Sequence, residues 1–253
     1  QLLHVAAHSR VHTGDLAEAL DELAEGRVRE IDAHSLEAML HVPRRDDAAA
    51  LGVETDGIGA RWADAQANHL PPELVEAGAA PCKEVVLKAP DLDGGVDRFP
   101  HLISTPGFDP APFITAGVWV TRDPEDGSYN LGIYRGMIKA PDRIGCATDV
   151  PTQHLAIQWE KARRTGKPLQ AAVFIGGPPS LLLAAASKVP YGVDEYGLAG
   201  ALNGAPVPVV PAETFDARVP ANAELVIEGE IRTDTLEPEA PFGEASGYLG
   251  PRK

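Results

Sequence analysis

The sequence has only two cysteines, Cys82 and Cys146, and they belong to no CxxC pattern. A structural zinc site or a disulfide framework would need clustered or regularly spaced cysteines. The sequence therefore predicts neither, and we expect a protein of the reducing cytoplasm.

Long apolar runs are also missing. No stretch approaches the roughly 20 residues that a membrane-spanning helix needs. The N-terminus lacks the basic start and apolar core of a secretion signal. It also lacks an initiator methionine, which indicates a processed, cut or partial chain.

Positive charge is scarce. The chain has 22 Lys and Arg against 37 Asp and Glu, a net charge of -15. Nucleic acid and anionic membranes are bound by clustered Lys and Arg, so we expect neither as a partner. An anionic substrate would have to be received locally, by a few cationic groups, main-chain amides or a bound metal.

The patterns that are present predict a mixed α and β protein of 253 residues, long enough to bury a core. Apolar spacing predicts helices at residues 15–26, 35–41, 59–70, 151–165 and 180–188, the last capped by Ser180. Aliphatic runs predict strands at residues 85–87, 114–122, 130–138, 170–175 and 223–231. Asp126-Gly127 predicts a hairpin turn. A proline-rich connector at residues 90–112 places a domain boundary near residue 95.

Residues 130–135 read Asn-Leu-Gly-Ile-Tyr-Arg. On a two-residue period Asn130, Gly132 and Tyr134 share one face of a strand. A half-buried edge strand is the simpler interpretation. An Arg in an apolar strand needs an anion, so a carboxylate or phosphate bound by Arg135 is the alternative.

Two further spots carry potential ligands. His154 lies in the first turn of a predicted helix, and Glu195 lies in a glycine-flanked acidic loop. With Asn130 they offer an amide oxygen, an imidazole and a carboxylate. This set suits Mn²⁺ or Mg²⁺ holding a phosphate and is poor for structural zinc. Spacing does not show that the three converge, and a structural histidine and a solvated loop carboxylate are the alternatives.

An acidic loop follows the last predicted strand. Glu239 and Glu244 are five residues apart, between Pro241 and two glycines. Paired carboxylates push their pKa values apart, which leaves one able to carry a proton near neutral pH. The alternative is an acidic surface turn. We expect Glu228 and Glu230, on the preceding strand, to face solvent.

Several segments, in order, resemble the signature of the UbiD decarboxylases: residues 108–115, 130–135, 153–154, 190–200 and 239–248, with residues 81–86 also fitting. The similarity covers residues 80–253. It implies an α+β fold with a small N-terminal α/β region at residues 1–95 and a split β-barrel flavin-binding domain at residues 96–253. Family members are nearly twice this long, so the C-terminal domain that they use for oligomer contacts is expected to be absent here.

The resemblance implies reversible, non-oxidative decarboxylation of an aromatic, heteroaromatic or α,β-unsaturated carboxylic acid with prenylated FMN. A flavin prenyltransferase would supply the cofactor, and the full-length enzyme would be a homo-oligomer.

By the same resemblance, Mn²⁺ or Mg²⁺ would be bound by Asn130, His154 and Glu195. K⁺ would lie near Ser187 and Lys188. The catalytic set would be Arg135, Glu239 and Glu244, with Glu244 as the proton donor. Residues lining the cofactor would be Asn130, Leu131, Gly132, Ile133, Tyr134, Arg135, Gln153, His154, Ser187, Lys188 and Glu195.

Two other functions compete with this interpretation. One is an isolated, non-catalytic FMN- and metal-binding domain. The other is an ordinary flavin oxidoreductase, which would need a nicotinamide site. The sequence contains no GxGxxG fingerprint, which disfavours the second alternative.

Overall fold

The computed structural model describes residues 4–7, 49–88, 94–103, 105–107, 109–147 and 150–243. The predicted helices at residues 15–26 and 35–41 lie outside them. The α-helices are α1 (Ile58–Ala67), α2 (His154–Arg164), α3 (Pro179–Ala186) and α4 (Glu195–Asn203). The strands are β1 (His4–Ala7), β2 (Glu73–Leu74), β3 (Val85–Leu87), β4 (Phe113–Ile114), β5 (Val118–Arg122), β6 (Tyr129–Ile133), β7 (Gly136–Ala140), β8 (Arg143–Ile144), β9 (Leu169–Ile175), β10 (Pro208–Pro211), β11 (Arg218–Pro220) and β12 (Leu225–Ile231).

The largest sheet has six strands in the order β3-β1-β12-β9-β5-β6, and every neighbouring pair is antiparallel. Two three-stranded sheets have the orders β11-β10-β2 and β4-β7-β8. The fold is therefore mixed α+β. Strands from both sides of the predicted boundary near residue 95 share the large sheet, and the boundary itself stays a prediction.

The two faces of the large sheet bury different sets of side chains. Along β5, Val118 and Val120 join the core that contains α3 and α4, whereas Trp119 joins Val173 and Ile227 on the opposite face. This alternation follows from the two-residue period of a strand. Because burial of each large apolar side chain contributes about 1.5–3 kcal/mol, both faces are held in place by substantial cores.

The long strands predicted at residues 114–122 and 130–138 are each divided in two. The chain passes from the β4-β7-β8 sheet into the large sheet between β4 and β5, and it passes back between β6 and β7. Gly117 makes the first division possible, since a Cβ there would lie 2.7 Å from the side chains of both Ile114 and Val173. The backbone approaches its neighbours too closely for any larger residue.

The predicted hairpin between β5 and β6 is confirmed. Gly127 has φ +76°, which suits glycine. The Asp123 carboxylate accepts hydrogen bonds from the main-chain N–H groups of Glu125 and Asp126 at 2.8 and 3.4 Å. This side chain therefore stabilises the turn from inside it.

Local signals predicted α1, α2 and α3 with errors only at their ends. Along α2, Leu155 and Ala162 are buried as expected, with Trp159 packed beside them. The predicted cap of α3 is wrong. Pro178 occupies the N-cap position and Ser180 is buried within the helix, because Pro179 is well suited to the first helical turn. No helix among the described residues is both long and apolar enough to cross a membrane.

Glu228 corrects another expectation. It is 1% exposed rather than facing solvent, whereas Glu230 is exposed as expected. The Glu228 carboxylate accepts hydrogen bonds from the main-chain N–H groups of Glu213 and Thr214 and from the Thr214 hydroxyl, at 2.7 to 3.0 Å. Glu228 therefore holds the loop that follows β10 against strand β12.

We predict that Glu228→Ala lowers the free energy of unfolding by about 2–4 kcal/mol, because buried N–H donors lose a charged acceptor. Glu230→Ala, on the same strand, is the matched control and should change it by less than about 0.5 kcal/mol. Urea unfolding followed by circular dichroism measures both. Equal urea midpoints for the two variants would contradict a stabilising role of the Glu228 hydrogen bonds.

Candidate active site

Glu195 is the first residue of α4 and is 2% exposed. Its Oε2 accepts the main-chain N–H of Leu131 in β6 at 3.0 Å. Burial raises the pKa of this carboxyl to about 7. Among the described residues no Lys or Arg pairs with it. A buried carboxylate in such surroundings is costly to ionise, and a bound cation would offset that cost.

His154 faces the second oxygen of this carboxylate. Its Nδ1 lies 3.6 Å from Glu195 Oε1, and the imidazole also hydrogen-bonds to the main chain of Val189. Burial lowers the pKa of His154, which favours the neutral form that binds metals. Two donors each about 2.1 Å from one cation lie about 3 Å apart at right angles and about 4.2 Å apart on opposite sides. The observed separation falls within this interval.

Asn130 completes the set. It is 2% exposed in β6, and its Nδ2 donates to Thr121 Oγ1 at 3.1 Å. Asn130 directly precedes Leu131, which binds Glu195. The Tyr134 hydroxyl lies beside the Asn130 side chain and the main chain of Leu155, next to His154; burial raises the pKa of Tyr134, and both of these neighbours lower it by less. The structure thus brings the elements carrying the three predicted donors together.

The three predicted donors include only two side chains of the types that most often bind metals. Within the described part of the chain, no group of three or more His, Cys, Asp or Glu side chains could hold a metal ion. The present set has two such side chains, with the amide of Asn130 as the third donor. Its hard nitrogen and oxygen atoms fit Mn²⁺ or Mg²⁺, and the assignment stays a prediction.

Arg135 meets a carboxylate of its own chain. Its Nε donates to Glu239 Oε1 at 2.5 Å, and the two side chains are 13% and 7% exposed. The guanidinium lies 5.3 Å from the ring centroid of Phe242, which in turn packs at 4.8 Å against Phe113. Arg135 and Glu239 therefore form a largely buried ion pair against an aromatic wall. Glu244 lies outside the described residues.

A cavity of about 490 Å³ opens beside Glu239. Its apolar wall includes Trp119, Val173 and Ile227, on the sheet face opposite α3 and α4. Residues of β7 and β8 line it as well, so it lies between the large sheet and the β4-β7-β8 sheet. A volume in this range is typical of small-molecule sites.

The remaining predicted residues differ in burial and in local hydrogen bonding. Gln153 is the N-cap of α2 without a side-chain capping bond, and Ser187 Oγ donates to the Ala184 carbonyl at 2.7 Å at the end of α3. Lys188 and Ile133 are exposed. The Leu131 side chain is buried in the core that contains α3 and α4, so its main-chain N–H is the group that reaches the site.

Sequence reasoning missed four residues around the site: Thr121, Asp123, Lys161 and Tyr191. The Tyr191 ring lies edge-on to the His154 ring, with centroids 5.2 Å apart. One signal was available. Lys161 follows His154 by two helical turns, so both lie on one face of the predicted helix. Nothing in the loop sequence singled out Tyr191.

Comparison with known proteins identifies the class to which this arrangement belongs. A family model described as UbiD, "3-octaprenyl-4-hydroxybenzoate carboxy-lyase Rift-related domain", matches residues 73–253. This is well over half of the chain. The chain therefore belongs to the UbiD family, and the resemblance read from the sequence is confirmed.

Relatives and solved structures agree with this assignment. An uncharacterized protein of Archaeoglobus fulgidus is 38% identical over 177 residues, 70% of this chain and 35% of its own. The UbiD-class enzyme HmfF from Pelotomaculum thermopropionicum, in complex with prFMN, matches with a TM-score of 0.77 and 35% identity over 84% of this chain and 49% of its own. Vanillic acid decarboxylase of Sedimentibacter hydroxybenzoicus matches with a TM-score of 0.76 and 32% identity, over 85% of this chain and 46% of its own. The chain spans about a third of that archaeal relative and about half of these structures.

We predict that Gly132→Ala destabilises the protein by about 1–3 kcal/mol, the usual cost of overpacking. A Cβ at Gly132 would lie 2.4 Å from the Tyr134 ring, so that ring would have to move away from Asn130. Gly59→Ala, in α1 with open space around it, is the control and should stabilise by up to about 1 kcal/mol. Thermal unfolding measures both, and an equally stable Gly132→Ala would contradict the close packing of Tyr134.

Proposed function

We propose that this chain is the flavin-binding portion of an enzyme that decarboxylates an aromatic, heteroaromatic or α,β-unsaturated carboxylic acid with prenylated FMN. Family membership and the likeness to HmfF, which was solved with prFMN, support the proposal. The observation that carries it is the buried carboxylate of Glu195, which accepts the main-chain N–H of Leu131, next to Asn130, and faces His154.

In this proposal Asn130, His154 and Glu195 would hold Mn²⁺ or Mg²⁺, which would supply positive charge for the flavin phosphate. Ser187 and Lys188 would help to hold the same phosphate and a K⁺ ion. These centres would supply local positive charge in a chain whose net charge is -15. When bound, the prenylated flavin supplies the electron sink for the electron pair released as CO₂ leaves.

The chain's own residues would then orient the substrate and move a proton. A guanidinium can contact more than one carboxylate, because its N–H donors point outward in a planar fork. Arg135, fixed by Glu239 and by Phe242, would orient the substrate carboxylate. Glu244 would protonate the carbon from which CO₂ has left. Glu239 would hold Arg135 in its productive rotamer.

The domain organisation belongs to the same proposal, with an N-terminal α/β region at residues 1–95 and a split β-barrel at residues 96–253. The cavity lined by both the large sheet and the β4-β7-β8 sheet supports a barrel-like arrangement. Supply by a flavin prenyltransferase and homo-oligomeric assembly are also proposed. The HmfF structure is described as an evolved dimeric form.

A second function has a specific observation in its favour. The chain spans about half of the solved structures that it matches, so in isolation it could bind flavin and metal without catalysing the reaction. Absorbance and mass spectra of the chain coexpressed with a flavin prenyltransferase test retention of the modified flavin. A decarboxylation assay of the same sample separates the two functions.

We predict that FMN binding requires a divalent cation. Fluorescence titration with FMN should show tight binding in Mn²⁺ and a loss of at least about 10-fold in EDTA, because the phosphate would face the Glu195 carboxylate directly. His154→Ala and Glu195→Gln should each bind FMN with the same affinity in both buffers, because each lacks a ligand to the cation. Glu76→Gln, at an exposed carboxylate outside the cavity lining, is the control and should behave as the wild type. Equal affinity of the wild type in Mn²⁺ and EDTA would contradict the metal assignment.

We predict that Arg135→Lys abolishes turnover in the complete enzyme while leaving the fold intact. An ammonium is a point charge and cannot hold two oxygens in a fixed geometry. Steady-state decarboxylation rates and circular dichroism measure the two effects. Arg163→Lys, on the exposed end of α2, is the control. Near-wild-type turnover of Arg135→Lys would reduce the Arg135–Glu239 pair to a structural role.

A further inference from the structure

Tyr191 packs against the imidazole of His154. The two rings are 5.2 Å apart between centroids with an interplanar angle of 85°. Such an edge-to-face contact limits rotation of the imidazole about χ2, as aromatic pairs prefer this geometry. Tyr191 itself is not one of the predicted metal ligands.

Tyr191 is in turn fixed by a buried carboxylate. Its hydroxyl donates to Asp123 Oδ2. The Asp123 side chain is 0% exposed, and its other oxygen accepts main-chain N–H groups in the β5–β6 hairpin. Asp123 therefore cannot swing away without leaving buried hydrogen-bond donors unsatisfied.

Lys161 closes the cluster from the helix that carries His154. Its Nζ lies 2.6 Å from Asp123 Oδ2 and 5.1 Å from the Tyr191 ring centroid. Lys161 lies two turns after His154 on α2, about 10 Å along the helix axis. On the same face of α2, His154 therefore lies at one end, and Lys161 binds Asp123 of the β5–β6 hairpin at the other. The same hairpin carries Asn130.

We propose that Tyr191 is a positioning residue for the His154 imidazole, held in place by Asp123 and Lys161. We call these three residues the Tyr191 clamp. The clamp joins the β5–β6 hairpin, α2 and the loop before α4, which are the elements that carry Asn130, His154 and Glu195. The inference rests on the proposed function, since it assigns the clamp to divalent-cation binding at that site.

A purely structural clamp and a positioning clamp differ in what they change. Loss of structural contacts lowers the unfolding midpoint but leaves the Mn²⁺ affinity of the folded protein unaltered. Loss of positioning weakens Mn²⁺ binding in the folded protein, because the imidazole must be ordered at the moment of binding. Partners outside the ligand set typically contribute 10–100-fold to metal affinity.

The experiment is a Mn²⁺ titration of the whole chain with saturating FMN, in which electron paramagnetic resonance reports free Mn²⁺. Tyr191→Leu removes the ring, Tyr191→Phe removes only the hydroxyl, and Lys161→Met removes the ammonium group that pairs with Asp123. Lys167→Met, exposed just beyond α2, is the matched control. Circular dichroism and thermal unfolding of each variant establish that it is folded at the titration temperature.

We expect Tyr191→Leu to weaken Mn²⁺ binding by about 10–100-fold. Tyr191→Phe and Lys161→Met should lose less, and Lys167→Met should match the wild type. The spectrum of bound Mn²⁺ should also change in Tyr191→Leu. If Tyr191→Leu is unfolded, Tyr191→Phe and Lys161→Met decide the matter. Wild-type affinity in the folded clamp variants would overturn the inference alone, whereas a wild-type chain that binds no Mn²⁺ would overturn the proposed metal site.

Discussion

Three elements that are distant in the sequence meet at the buried carboxylate of Glu195. One oxygen accepts the Leu131 N–H of β6, and the other faces His154 at the start of α2. The carboxylate belongs to α4, whose N-terminus is capped by the Asp194 side chain. Because burial raises the pKa of Glu195 to about 7, ionisation of this group near neutral pH would be favoured by a cation bound at the same place.

The large sheet separates two chemical environments. On one face α3 and α4 pack against the sheet, and α4 contributes Glu195. On the other face the cavity opens beside Glu239. Residues 134–135 join β6 to β7, where the chain passes from the large sheet to the β4-β7-β8 sheet. Tyr134 and Arg135 therefore form the short link between β6, which carries Asn130, and the Arg135–Glu239 ion pair.

Two errors in the sequence-based predictions share one physical cause. Glu228 was expected in solvent, because nothing local shows that the loop after β10 returns its main-chain N–H groups to this carboxylate. The strands at residues 114–122 and 130–138 were expected to be continuous, because their aliphatic pattern does not reveal a change of sheet. Both outcomes depend on residues distant in the chain, and single-residue propensities contain no such information.

The sequence by itself determined the family and most of the local elements, although it placed Glu195 in a loop and the structure places it in α4. The β5–β6 turn, the apolar face of α2 and the ordered segments that resemble UbiD enzymes are encoded within short windows. Only the tertiary structure decided that His154 and the N–H of Leu131, next to Asn130, meet the Glu195 carboxylate, that Glu239 pairs with Arg135, and that Tyr191 lies against His154. Contacts between such separated residues arise from strand pairing and helix packing, which depend on the whole chain and leave no periodic signal in the residues that meet.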